Sequence, residues 1–361
     1  MKIVFYVSAH GFGHAVRTSE VMRAILALLP EAEIHVRSRA PAWLFPAGVR
    51  GRISEISLDV GVVQKNSLTL DTAATLARME DILRDSEALL GAEIDFLRER
   101  HCDVVVGDIP PLAFEAARRA GVPSVAITNF SWDWIYRAYL PSEPRFAPII
   151  DRMTNHYGAA TLLLRLPFHG DLSAFPRHRD IPLITRRSEC SRDAQRRLLG
   201  LGGGAIALVS FGGFGLSRLP LARIARERPD WTFLLPGSHG GSGPPNIVSF
   251  DARRVRHEDL VAAADVVMTK PGYGIVAECL ANGARILYTS RGDFPEYPIL
   301  EAAVRRHAHA RYVSQEALLA GRIGDALDLL LADESPVDAL RDEDFLGAPV
   351  AAKIILEMAE G

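Results

Sequence analysis

The sequence predicts an α/β fold built from two doubly wound parallel sheets. Short apolar, β-rich runs alternate with helix-period segments over most of the chain, which is typical of strand–helix units on a parallel sheet. The series begins again near residue 205, after a stretch without such runs. At 361 residues the chain also exceeds the roughly 250–300 residues at which a single core stops growing. We therefore expect two Rossmann-like domains, each with its own sheet.

Each half has its own series of expected elements. In the first half, apolar runs predict strands at Ile3–Ser8, Ile34–Ser38, Val104–Gly107, Ser124–Thr128 and Thr161–Leu166, and the helical period predicts helices at Val16–Leu29, Thr72–Arg98 and Leu112–Ala120. In the second half, the strands are Ala205–Phe211, Trp231–Leu235, Ile247–Phe250, Val266–Thr269 and Arg285–Thr289, and the helices are Leu221–Glu227, Tyr273–Ala281 and Ile299–Arg306.

The segment from Pro182 to Gly204 is rich in Arg and Ser, ends in three glycines and contains no clear strand, so we place the hinge there. The expected boundaries are an N-terminal Rossmann-like domain at 1–190 and a C-terminal Rossmann-like domain at 191–345. The apolar-periodic stretch Val350–Met358 predicts a helix within 346–361 that can return to the first domain.

The composition is that of a packed globular protein, with 48% apolar and 24% charged residues. A formal net charge of −3 gives no overall field to attract nucleic acid, so no nucleic-acid partner is expected. The arginine pairs Arg186-Arg187 and Arg253-Arg254 are interpreted as solvated faces.

Three further observations bear on location and metal content. Cys102, Cys190 and Cys279 lie far apart without metal-ligand spacing, which predicts no bound metal and favours a reducing cytoplasm. The opening apolar run, Ile3 to Val7, is too short for a signal peptide, and no stretch reaches the about 20 apolar residues of a membrane span. We expect a cytoplasmic protein without a transmembrane segment.

The first glycine loop, Gly11-Phe12-Gly13-His14, follows the first predicted strand and opens a helix. Such a turn lets the backbone approach a ligand closely, and the exposed N–H groups favour an anion. The Rossmann dinucleotide fingerprint fails, because its third glycine position is Val16 and no acidic residue follows the next strand. NAD is therefore disfavoured, and a weak NADP interpretation remains.

His14 is the candidate general base of this loop, because an imidazole titrates near neutral pH and can take a proton from an attacking hydroxyl. His10 is the rival, and either histidine can instead simply hydrogen-bond the loop. Asp108 follows the strand Val104–Gly107 and can orient a protonated His14, although a loop-capping role is equally open.

The second glycine loop, Lys270-Pro271-Gly272-Tyr273-Gly274, links a strand to a helix and suits a diphosphate. Glycines Gly212 and Gly213, after the first strand of this half, are a second place for close approach by a phosphate. Arg218 or Lys270 can supply charge to a departing diphosphate.

Carboxylates near this loop suit hydroxyl recognition. Glu278, just over one turn into the helix, can accept hydrogen bonds from a ribose, or it simply complements the helix dipole. Asp293 and Glu296 can bind a hexose, or they form a solvated acidic loop. His257 is a weaker candidate for contact with base or ribose, and Phe130-Ser131-Trp132-Asp133-Trp134 is either an acceptor surface or core.

The loops Gly11–His14 and Lys270–Gly274, with Glu278 and the acidic segment Asp293–Glu296, resemble GT-B glycosyltransferases. The resemblance is to the peptidoglycan N-acetylglucosaminyltransferase branch and to the transferase-like N-terminal region of arabinokinases. It implies the GT-B architecture, in which two domains face each other across a cleft. By the same resemblance, the domain at 1–190 binds the acceptor, with Gly11, Phe12 and Gly13 as its acceptor loop, and the domain at 191–345 binds the nucleotide-sugar.

The same resemblance implies that Gly272, Tyr273 and Gly274 meet the diphosphate, Glu278 the ribose, and Asp293 with Glu296 the donor sugar. The implied activity is an inverting, metal-independent transfer from a nucleotide-diphosphate sugar to an unidentified small-molecule or glycan acceptor, with no cofactor. A UDP-sugar is the expected donor. Two alternatives stay open: a nucleotide-sugar-binding module without catalysis, and a nucleotide-sugar epimerase of the same fold.

Overall fold

The computed structural model describes residues 1–66, 69–212, 218–237, 243–251 and 253–361. Within these residues it confirms the expected architecture, because strands and helices alternate and the strands form two parallel sheets. Two further short strands form a separate antiparallel pair.

The strands, numbered in chain order, are β1 Lys2–Val7, β2 Glu33–Arg37, β3 Ile53–Ser54, β4 Gln64–Asn66, β5 Thr69–Leu70, β6 Val104–Asp108, β7 Ser124–Thr128, β8 Leu162–Arg165, β9 His178–Asp180, β10 Ala205–Ser210, β11 Trp231–Pro236, β12 Ile247–Phe250, β13 Val266–Thr269, β14 Arg285–Tyr288 and β15 Ala310–Tyr312.

The α-helices are α1 Gly13–Leu28, α2 Thr72–Arg84, α3 Ser86–Glu99, α4 Pro111–Ala120, α5 Trp132–Arg137, α6 Ala147–Tyr157, α7 Arg192–Leu198, α8 Leu221–Glu227, α9 His257–Ala263, α10 Tyr273–Asn282, α11 Tyr297–His307, α12 Gln315–Leu319, α13 Gly324–Leu331 and α14 Gly347–Glu360. Short 3₁₀ helices cover Ala42–Leu44, Ala47–Arg52, Pro144–Phe146 and Asp342–Phe345.

Strand order reverses at the centre of each sheet. The first sheet runs β3-β2-β1-β6-β7-β8-β9, and the second runs β12-β11-β10-β13-β14-β15. The reversals fall between β1 and β6 and between β10 and β13. Ligands of open α/β sheets collect outside the carboxyl ends of strands at such switch points. Both glycine loops therefore lie where the topology favours binding.

The central strands are buried on both faces, as their continuous apolar runs predict. Every residue of β6 is buried, and only Lys2 of β1 is partly exposed. Helices cover both faces, and α4 ends at Gly121, whose φ of 78° suits a residue without a side chain. The sheets are thus rigid supports for the loops at their carboxyl ends.

Two expected segments differ in the structure. The helix expected over Thr72–Arg98 is divided at Asp85, where the Ser86 hydroxyl donates to the Leu83 carbonyl and competes with the helical pattern. The segment expected to be a linker contains α7. Its arginines hid the helical period, yet Arg196 pairs with Asp265 at 2.7 Å and fixes the helix to the second sheet.

The C-terminal helix α14 lies against α1, and its residues Ala351, Ala352 and Ile355 belong to the apolar core under the first sheet. The chain therefore crosses between the two sheets twice. The crossings are bonded together, because the Leu183 N–H donates to the Asp344 carbonyl at 2.9 Å and the Gly347 N–H donates to the Leu183 carbonyl at 3.1 Å.

Candidate functional site

His14 and Asp108 meet at the switch point of the first sheet. His14 is the second residue of α1, Asp108 ends β6, and both are buried. His14 Nδ1 lies 2.7 Å from Asp108 Oδ1. A carboxylate at this distance holds the proton on Nδ1 and leaves Nε2 as the basic nitrogen.

Arg17, one turn beyond His14 on α1, is a third member of this group. Its Nε donates to Asp108 Oδ2 at 2.7 Å and its Nη2 donates to Oδ1 at 2.5 Å. Burial raises the pKa of Asp108, but the charges and hydrogen bonds of Arg17 and His14 outweigh it and hold that pKa below its ordinary value. Asp108 is therefore a fixed carboxylate at neutral pH.

A chain of hydrogen bonds leads from Arg17 to the acidic loop of the second half. Arg17 Nη1 donates to Asn129 Oδ1 at 2.9 Å, and Asn129 Nδ2 donates to Glu296 Oε1 at 2.7 Å. Arg291 Nη1 then donates to Glu296 Oε2 at 2.8 Å. This buried bridge connects the candidate base to the loop expected to bind the donor sugar.

The two predicted sugar-binding carboxylates lie in different environments. Glu296 is buried within the bridge, whereas Asp293 is exposed. Between them Phe294 is buried, with the Arg291 guanidinium 3.9 Å from its ring centre. A solvated acidic loop therefore describes Asp293 but not Glu296.

His10 lies on an aromatic wall beside His14. Its ring meets Trp132 edge-on at 5.2 Å and stacks over Phe294 at 6.4 Å. The Val62 N–H donates to His10 Nδ1 at 3.3 Å, which leaves the ring proton on Nε2. Burial, together with the nearby charge of Arg291, lowers the pKa of His10 well below 6.5, so the ring is neutral.

The aromatic segment that the sequence left open between acceptor surface and core is largely core. Phe130 and Trp132 are buried, and Trp132 Nε1 donates to Asp59 Oδ2 at 2.8 Å. Trp134 is partly exposed and packs against Gly170. The wall formed by Phe130 and Trp132 fixes the positions of His10 and His14.

The second glycine loop touches the first. Gly272 caps α10 without a side-chain hydrogen bond, and a Cβ placed on Gly274 would lie 3.8 Å from the Cα of Gly13. Tyr273 packs into the core under the first sheet, with the Arg17 guanidinium 5.4 Å from its ring centre. The amino ends of α1 and α10 therefore meet at the junction of the two sheets.

Lys270 supplies the basic side chain beside this junction. Burial, and then the charge of Arg291, lower its pKa from 10.5 to about 7. Gly212 and Arg218 are both exposed, and Gly212 has a φ of 77°. Gly213, predicted with Gly212 to approach a phosphate, lies outside the described residues.

Glu278 is buried and both of its oxygens are bonded. Arg186 Nε donates to Oε1 at 2.7 Å, and His257 Nδ1 lies 2.7 Å from Oε2. Burial raises the pKa of Glu278, but Arg186 and His257 together lower it from 4.5 to about 2. His257 Nε2 is in turn 3.0 Å from the Ser210 hydroxyl at the end of β10.

The interpretation of Arg186 as part of a solvated face is wrong. Its side chain is only 18% exposed, because it pairs with Glu278 and, at 3.1 Å, with Glu258. Two buried carboxylates so close together need a cation between them. The sequence shows two adjacent arginines but not the acids that fold against the first.

Two arrangements are absent from the described residues. No group of three or more His, Cys, Asp and Glu side chains in them is arranged to hold a metal ion. Among the same residues no helix is both long and apolar enough to cross a membrane.

Sequence reasoning missed three members of the site: Arg17, Asn129 and Arg291. The spacing of Arg17 from His14 places them one turn apart on a helix, which was the available signal. Asn129 and Arg291 follow predicted strands by one or two residues, but strand ends alone do not show which polar residues meet.

Known proteins similar to this chain fit this architecture. No family model matches the chain. It is 30% identical to the L-arabinokinase of Arabidopsis thaliana over 368 residues, which take in 99% of this chain but 34% of that protein. The chain thus spans about a third of the length of that relative. It is also 26% identical to an uncharacterized glycosyltransferase of Methanopyrus kandleri, covering 80% of this chain and 85% of the relative.

Solved structures show the same fold. The glycosyltransferase of kitacinnamycin superimposes with a TM-score of 0.66 at 19% identity, covering 99% of this chain and 98% of the other. The calicheamicin glycosyltransferase CalG4 has a TM-score of 0.64 at 18% identity, covering 99% of this chain and 97% of the other. MurG of Acinetobacter baumannii has a TM-score of 0.57 at 14% identity, covering 99% of this chain and 100% of the other. The fold is GT-B, and the expected resemblance to GT-B glycosyltransferases and arabinokinases is confirmed.

Proposed function

We propose that the protein is an inverting glycosyltransferase that takes a sugar from a nucleotide-diphosphate sugar, with a UDP-sugar as the expected donor. The observation that carries the proposal is the His14–Asp108 pair, which lies beside the point where the amino ends of α1 and α10 meet. A base and an anion-binding helix end are the two parts that this displacement needs.

In the reaction, an acceptor hydroxyl attacks the anomeric carbon of the donor sugar while the bond from that carbon to the diphosphate oxygen breaks. The hydroxyl proton passes to Nε2 of His14, and the bonding electrons leave with the nucleoside diphosphate. Asp108 stabilises the imidazolium that forms, as a buried carboxylate does for the catalytic histidine of other enzymes. One displacement inverts the configuration.

The second glycine loop is assigned to the donor. Amides of Gly272, Tyr273 and Gly274 at the start of α10 bind the diphosphate, and Lys270 adds positive charge to it. These groups stabilise the leaving diphosphate without a divalent metal. Glu278 accepts from the ribose through lone pairs that Arg186 and His257 leave unused, since a carboxylate has about four acceptor sites.

The test is calorimetric titration with UDP, dTDP and GDP, followed by assay of diphosphate release from the matching sugar nucleotides with a panel of acceptors. The expected result is binding of one nucleotide and release that depends on an acceptor. Binding without transfer or hydrolysis on any acceptor would favour a module without catalysis. A donor that changes its sugar configuration without an acceptor would indicate an epimerase instead.

A further inference from the structure

A groove of about 620 Å³ opens beside His10 on the first domain. It is lined by residues from four places in the chain: the loop after β1, the loop after β2, the segment after β3, and helix α2. Small-molecule sites have volumes of roughly 300–1,000 Å³. The groove therefore has the size of a site for one or two sugar units, and its lining residue His10 contacts Trp132, which also contacts the candidate base His14.

Two arginines line this groove. Arg39 follows β2 and Arg78 lies on α2, and both are exposed. Within the described part of the chain, neither forms a hydrogen bond or an ion pair, whereas Arg84, on the same helix as Arg78, pairs with Asp81 at 3.0 Å. Asp81 also lines the groove, so its charge is balanced by Arg84 rather than by Arg39 or Arg78.

Asp59 forms part of the inner wall of the groove and is buried. Trp132 Nε1 donates to its Oδ2 at 2.8 Å. This donor holds the carboxyl group in place from the protein side. A fixed carboxyl group of this kind recognises a hydroxyl, whereas planar guanidinium groups bind carboxylate or phosphate.

We infer that the groove binds the acceptor and that the acceptor is a hydroxylated compound bearing an anionic group, a phosphate or a carboxylate, held by Arg39 and Arg78. The inference rests on the proposed function, since it assigns the acceptor of that reaction. Asp59 orients the hydroxyl end towards the candidate base, and the anionic end points away from it.

The experiment measures binding of glucose 6-phosphate, glucuronate and glucose to the full chain by calorimetry at low salt. Glucose 6-phosphate and glucuronate are the two anionic probes, and comparing them separates phosphate from carboxylate recognition. We expect at least one to bind about tenfold more tightly than glucose, and this difference to vanish in the double variant Arg39→Gln with Arg78→Gln.

The matched control replaces two other exposed arginines, Arg197→Gln with Arg226→Gln, which removes the same charge from the second domain. It should bind the anionic probe as the unsubstituted protein does. Equal binding of all three probes, or an equal loss in the control, would overturn the inference. Titration of UDP in the same variants tests the donor site separately, since Arg39 and Arg78 lie outside it; loss of UDP binding everywhere would contradict the proposed function alone.

Discussion

Both glycine loops lie at the switch point of their sheet, but they follow strands on opposite sides of it and offer different chemistry. Beside the loop after β1, side chains meet: His14 and Arg17 on α1 and Asp108 at the end of β6 form a buried, mutually bonded group. The loop after β13 presents backbone, because α10 begins at a glycine cap without a side-chain hydrogen bond. One type of sheet, used twice, thus offers side chains suited to accept a proton at one switch point and backbone suited to bind an anion at the other.

The largest expected effect comes from removing the proton acceptor. His14→Ala should lower turnover about 10²–10⁴-fold, which is the usual contribution of general base catalysis. The affinity for UDP should stay unchanged, because the donor loop is intact. The measurement is a kinetic assay beside calorimetry. His169→Ala, on an exposed loop, is the control. Equal turnover in both variants would remove His14 from the mechanism.

Arg17→Met should destabilise the protein by about 3–5 kcal/mol, because it leaves the buried Asp108 without its cation. Urea unfolding followed by circular dichroism measures the change. Arg23→Met, at a half-exposed position on the same helix, is the control and should change stability by less than about 0.5 kcal/mol. A small change for Arg17→Met would mean that Asp108 does not depend on it.

Glu278→Gln should cost about 3 kcal/mol at neutral pH, since the pKa of Glu278 is lowered from 4.5 to about 2. Because the pKa is lowered in the folded state, the ionised carboxylate stabilises the fold fully at pH values above its ordinary pKa of 4.5. This contribution disappears as the pH falls through about 2. The difference in unfolding free energy between the two proteins should therefore shrink between about pH 5 and pH 2. A difference independent of pH would contradict the buried ion pair. The control Glu316→Gln, at an exposed position on α12, should show no such pH-dependent change in stability.

The smallest expected effect concerns the anion site. Because the pKa of Lys270 is about 7, the lysine is protonated below that pH and attracts a diphosphate, so affinity for a UDP-sugar should fall about tenfold as the pH rises from about 7 to about 9. Lys270→Met should bind more weakly with a flatter pH profile. Lys353→Met, exposed on α14, should keep the original profile. A steep profile in Lys270→Met would assign the titration to another group.

Local patterns predicted the strands well, because continuous apolar runs such as Val104–Gly107 are buried on both faces and have few alternatives. They also identified both glycine loops, since a strand–glycine–helix turn is a local feature. Helix α7 was missed because its three arginines, Arg192, Arg196 and Arg197, conceal the apolar period. The strand His178–Asp180 was missed because it is exposed and polar.

Contacts between distant residues could not be predicted. Asn129 and Glu296 are 167 residues apart and meet only because the two sheets face each other. In the sequence, Arg186 is only one of two adjacent arginines in a polar segment. Its partners Glu258 and Glu278 are brought to it by the packing of α9 and α10. Burial, rather than residue type, decided which charges became part of the site.

The bonded crossings at Leu183, Asp344 and Gly347 determine how the halves can separate. Two chain crossings that are hydrogen-bonded to each other at one place permit rotation about that place but resist sliding of one sheet past the other. For the proposed reaction we therefore expect the site to open to its substrates by rotation about Leu183, Asp344 and Gly347.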